Sequence, residues 1–183
     1  VWEAHRFDPK TDVGPQPVNK LHINNIDCTD DGLSFAGLRT NGIVSLGADA
    51  KLLTQVELPE GIHNARLIND GVLFNDTAAN CLRFVARNGD GKHFPFPTYK
   101  LDDLEFAGVD DSKIARQGFG RGLCVINERL VAAGSSPSTV SVFDLVSNQM
   151  VFSVNFSMDV RNAIHGLEIW PYDVPATSSP PGE

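Results

Sequence analysis

The sequence predicts an all-β chain folded as a β-propeller, and three observations predict it. Helical periodicity is nearly absent, while short alternating and β-branched runs are broken by Gly, Asn and Asp turn signals. A phrase recurs: His22-Ile23-Asn24-Asn25-Ile26 precedes Asp30-Asp31-Gly32, His63-Asn64-Ala65-Arg66-Leu67 precedes Asn69-Asp70-Gly71, and Phe119-Gly120-Arg121-Gly122-Leu123 precedes Asn127-Glu128-Arg129. The turn glycines Gly32 and Gly71 are 39 residues apart (71 minus 32), close to the roughly 40–45 of a four-stranded blade.

The elements follow in order. Residues 21–28 read as a strand, Asp30-Asp31-Gly32 as a turn and 33–38 as a second strand. Asn41-Gly42 is a hairpin signal, because both residues accept positive φ. Segments 43–46 and 52–58 complete four strands, and Pro59 ends the run because proline cannot donate to a ladder. The second unit repeats this with 62–68, 72–75, 81–86 and 93–99. The third has 122–126, 130–133, 140–145 and 150–156. Segment 164–170 restarts the pattern as a further strand and stops at Pro171. Between the second and third units, residues 100–117 carry Asp102, Asp103, Glu105, Asp110 and Asp111 and read as an acidic surface insertion with at most one helical turn. Phe35, Phe74, Phe84, Phe143, Phe152 and Trp170 are assigned to the core between blades, since packed sheets need large side chains to fill about 10 Å.

Three recognisable four-stranded blades plus partial ones result. Residues 1–7 read as the end of an earlier blade. Residues 1–175 are a small propeller or the C-terminal part of a larger ring, and 176–183 a disordered Pro/Ser-rich tail. Open sheet edges make self-association an expectation.

The chain has 183 residues, a size that builds one core without disulfides. Its net charge of −8 argues against nucleic acid and against an anionic membrane surface as partners. The sequence shows no segment expected to act as a signal peptide and no apolar run long enough to span a bilayer. Cys28, Cys81 and Cys124 lie in apolar runs with no CxxC spacing, so they read as buried free thiols of a reducing, cytoplasmic compartment, the alternative being a single disulfide in a secreted protein. Asn75-Asp76-Thr77 and Asn155-Phe156-Ser157 match a glycosylation triplet, but both lie in expected strands.

The motifs resemble those of a family of uncharacterised bacterial propeller-like proteins, sometimes found with tetratricopeptide repeats. Trp2 is similar to that family's Trp-Arg-Pro segment, and His22-Ile23-Asn24 to its His-Leu-Asn. His63-Asn64-Ala65-Arg66 with Asp70-Gly71 is similar to its His-Ser-Pro-Arg and Asp-Gly. Arg121-Gly122-Leu123, Val142-Phe143-Asp144-Leu145 and Ile169-Trp170-Pro171 resemble its Arg-Gly-Leu, Val-Val-Asp-Leu and Val-Leu-Pro. The resemblance implies a longer ring. It implies no chemistry, but groups His22, Asn24, His63, Arg66 and Arg121 as one set.

In a propeller the innermost strands line a central channel, and the residues that open them share one mouth. Here those are His22, Asn24, His63, Arg66, Arg121 and His165, with Glu168 beyond. Counting from the turn glycines aligns His63 with Asn24; counting from the apolar anchors aligns it with His22. Three readings compete: polar struts between blades; a site for a small polar or anionic molecule, with Arg121 supplying a bidentate charge; and a metal site on His22, His63 and His165. The arginine argues against metal. The enzyme alternative is a metal- or His-assisted hydrolase, lyase or transferase, with His63 as acid–base because an unperturbed imidazole titrates near pH 6.5. No nucleophile elbow, Walker loop or dinucleotide fingerprint is present. The sequence names no cofactor.

Overall fold

The computed structural model describes residues 10, 21–29, 32–47, 49, 51–68, 71–108 and 116–172. The segments expected at 1–7 and 176–183, Trp2, and the acidic turn residues at 30–31 and 69–70 lie outside the described residues.

Twelve strands are described: β1 Ile23–Thr29, β2 Gly32–Gly37, β3 Gly42–Leu46, β4 Leu52–Glu57, β5 Ile62–Ile68, β6 Gly71–Asp76, β7 Cys81–Ala86, β8 Gly91–Pro95, β9 Gly120–Val125, β10 Leu130–Ser135, β11 Thr139–Asp144 and β12 Gln149–Asn155. They form three four-stranded antiparallel meanders, β1 to β4, β5 to β8 and β9 to β12. The fold class is therefore all-β with repeated blades. A 3-10 turn, Leu101–Asp103, falls inside the expected insertion. Strand β8 ends at Pro95, short of the expected 99, because Pro95 and Pro97 withhold ladder donors.

The sheets stack face to face. Ala36 and Ile43 of the first sheet pack on Ile62, Ala65, Val72 and Phe74 of the second. On its other face the second sheet presents Leu73, Leu82 and Phe94 to Leu123, Val131 and Phe143 of the third. Alternation along each strand makes this possible, since successive side chains point to opposite faces. Phe74 and Phe143 are buried as expected. Phe152 and Trp170 are not: they are 56% and 69% exposed, because no further sheet covers that face among the described residues. Phe94, Phe96 and Phe119 fill the core instead.

Two more expectations change. Residues 164–170 run without forming a strand ladder. Cys28 is exposed, whereas Cys81 and Cys124 are buried; all three are free thiols. Asn75 of the first glycosylation triplet is fully buried.

The first strands of the three sheets, β1, β5 and β9, lie side by side, and each carries a β-bulge near its start. Rungs Ile23↔Gly37 and Ile62↔Asp76 align the strand starts and place His63 level with Asn24, as the turn glycines predict. The bulge falls at Asn24 in β1 but after His63 in β5. His63 therefore stays on the ladder, opposite Asn75, while Asn24 is turned sideways between sheets.

Candidate functional site

The starts of the inner strands converge on Phe119. The His63 ring meets its edge at 5.5 Å, and the His22 ring meets His63 at 6.0 Å. The guanidinium of Arg121 lies 4.9 Å from the Phe119 ring centre and that of Arg116 lies 5.3 Å away, both cation–π contacts. Arg121 Nη1 also sits 3.1 Å from Nδ1 and 3.3 Å from Nε2 of His165. Four of the expected residues, His22, His63, Arg121 and His165, are thus brought into one cluster.

The other two are placed differently. Asn24 Nδ2 donates to the Ile62 carbonyl at 3.2 Å, and its Oδ1 accepts from the Asn64 N–H at 3.0 Å. Asn64 repeats the device one blade on: its Oδ1 accepts from the Gly122 N–H at 2.8 Å. The Asn75 amide donates to the Gly122 carbonyl at 3.0 Å. These amides tie blade to blade, and Asn24 has both its groups engaged in doing so. Gly122 has φ +73°, a conformation glycine adopts without strain, and so ends the series. Arg66 points to the same side of its sheet as His63 but three residues further along. It approaches Glu168 at 3.5 Å. It also lines a cleft of about 800 Å³ with Ile68, Phe84, Lys92, Val125 and Leu145, at the far end of the inner strands.

The electrostatics follow from burial. His63 is 3% exposed, and neither ring nitrogen meets a hydrogen-bonding group. Burial, reinforced by the nearby Arg121, His22 and His165, pushes its pKa down to about 4. Burial and Arg121 likewise lower His165. Burial also lowers Arg121, yet a guanidinium stays protonated at any physiological pH. Among the described residues no carboxylate pairs with Arg121, and its buried Nε has no partner. A half-buried cation thus lies beside His63 and His165, whose pKa values are held below the ordinary imidazole value. No group of three His, Cys, Asp or Glu residues suited to a metal ion occurs among the described residues.

Phe119 and Arg116 were not singled out from sequence as parts of this cluster. The signal for Phe119 was its place between Gly118 and Gly120. Arg116 gave none: it reaches the cluster because its guanidinium donates to Asn80 Oδ1 and the Thr77 carbonyl of the second sheet.

No known protein-family profile matches the chain, and no curated protein does. Solved β-propellers do. The computationally designed Ika8 protein matches with a TM-score of 0.50 at 11% identity, over 83% of this chain and 41% of that one. The WD40 domain of Neurospora crassa Pan2 matches with a TM-score of 0.46 at 12% identity, over 81% and 41%. A streptogramin B lyase matches with a TM-score of 0.40 at 16% identity, over 70% and 42%. The chain spans about two-fifths of the length of these structures. At such identities the likeness concerns architecture alone: the chain is a β-propeller unit of three four-stranded blades.

Proposed function

We propose that this propeller domain binds a small anion, a carboxylate or a phosphate, at the mouth formed by Arg121, His165 and His22. One observation carries the reading: Arg121 is half-buried, has no carboxylate partner among the described residues, and is held in place by the Phe119 face and His165. A cation whose charge is left uncompensated beside apolar surface is a ready partner for a planar anion, which a guanidinium engages through two parallel hydrogen bonds. The chain's net charge of −8 makes such a local concentration of arginine and histidine unusual within it.

The pKa of His63 argues against proton transfer as the task of this cluster. A base of pKa about 4 is a weak proton acceptor at neutral pH, so His63 serves better as a neutral wall.

The test is calorimetric titration with inorganic phosphate and with citrate at low ionic strength. Binding by the native chain, weakened 10-fold or more in Arg121→Ala and unchanged in Arg66→Ala, is the expected result, since a charge-assisted hydrogen bond contributes about 1.5–3 kcal/mol. No binding of either anion, or equal binding by Arg121→Ala, overturns the reading.

A further inference from the structure

The third sheet carries more beside it than a free face. Residues 164–170 lie along β9: His165 meets Arg121, and Glu168 Oε1 meets Cys124 Sγ at 3.8 Å. Both pairs are 44 apart in sequence, so the segment runs parallel to β9. Successive inner strands also lie side by side, as the bonds from the Asn64 N–H to Asn24 Oδ1 and from the Gly122 N–H to Asn64 Oδ1 record. Ile164 also sits on the face of the third sheet, since a Cβ on Gly134 would lie 2.5 Å from the Ile164 Cβ. The segment therefore occupies the place of a fourth inner strand. Yet among the described residues its backbone joins no ladder.

The sheet beneath it is covered by halves. Its outward side chains form the rows Cys124–Ala132–Val142–Phe152 and Arg121–Gly134–Val140–Val154. In the second sheet the matching rows, such as His63–Asn75–Leu82–Phe94, are covered by the third sheet, and Phe94 is 2% exposed. In the third sheet the segment shields the inner columns, and Ala132 is 8% exposed. The outer column is bare, and Phe152 is 56% exposed. The surface continues the two inter-sheet contacts already made inside the chain, and among the described residues no strand lies next to the segment.

We propose that residues 164–170 are the inner strand of a fourth blade that a partner polypeptide completes by strand addition. The partner strand runs antiparallel to the segment, as β2, β6 and β10 do to their inner strands. It presents aliphatic residues at alternate positions toward Val142 and Phe152, as β10 presents Val131 and Ala133 to the second sheet. Main-chain hydrogen bonds supply the affinity and the alternating side chains the selectivity. The segment shares His165 with the proposed anion mouth, but this inference does not rest on anion binding.

The test uses a synthetic peptide copying residues 129–145, the hairpin that pairs with β9 in this chain, and a scrambled control. Amide hydrogen exchange of residues 164–170 should slow at least 10-fold with the peptide and not with the control. Phe152→Asp should weaken peptide binding 10-fold or more. Equal exchange with peptide and control overturns the proposal. So does slow exchange without peptide: if it grows with protein concentration, and sedimentation shows dimers, a second copy is the occupant; if it is independent of concentration, the chain covers itself.

Discussion

Replacing His63 with phenylalanine should make the protein more resistant to mild acid. The imidazole is buried at 3% exposure and lies edge-on to Phe119 and near His22, with no hydrogen bond to lose. Its pKa is about 4 in the folded chain, against an ordinary 6.5. In the unfolded chain the ring takes up a proton as pH falls through 6.5; in the folded chain it does not until about 4. The unfolded state binds more protons in that window, so stability falls as pH falls. From pH 7 to pH 5 the ratio of the two protonation terms costs about 2 kcal/mol, at about 1.4 kcal/mol per pKa unit and with partial titration at both ends. His165, lowered in the same direction, adds to the trend in both proteins. The carboxylates lowered by their partners, Asp49 by Lys51, Asp144 by Arg129 and Asp159 by Arg161, lose their contribution below their unfolded value of 3.8 and so act almost wholly outside the window. Urea unfolding at pH 7 and pH 5, with linear extrapolation, measures the difference. The native chain should lose about 2 kcal/mol more than His63→Phe between the two pH values. Equal losses would show that His63 titrates normally, and the buried, unpaired imidazole would be refuted.

Two further outcomes are expected. Asn64→Ala removes the bonds to the Gly122 N–H and the Asn24 carbonyl at a residue with φ +51°, and should cost on the order of 2–4 kcal/mol in urea unfolding, whereas Asn64→Gly should cost less because it relieves the backbone. With a thiol reagent at neutral pH, Cys28 should react in the native chain while Cys81 and Cys124, buried and with thiol pKa values pushed up by burial, react only on unfolding; fast reaction of all three would contradict the packing of β7 and β9.

The sequence by itself determined the blades. Alternation and turn residues are local properties, and they specified strands 62–68 and 81–86 to the residue and ten others to within about four, whereas the strand expected at 164–170 did not form. The turn glycines also set the level of His63 against Asn24 correctly at the strand starts. The tertiary structure decided what those positions do. A bulge one rung earlier in β1 than in β5 made Asn24 a strut and left His63 facing the next sheet, and bulge placement has no mark in a sequence of apolar alternation. Arg66 was grouped with Arg121 by its motif, yet lies farther along its strand, where Glu168 meets it across 102 residues of chain. Arg116 joined the cluster by a long-range bond to the second sheet that no spacing announces. The exposure of Phe152 and Trp170 also had no local sign, because an aromatic in a strand looks the same whether or not another sheet covers it. Periodicity says which way a side chain points; only the neighbouring sheet decides what it meets.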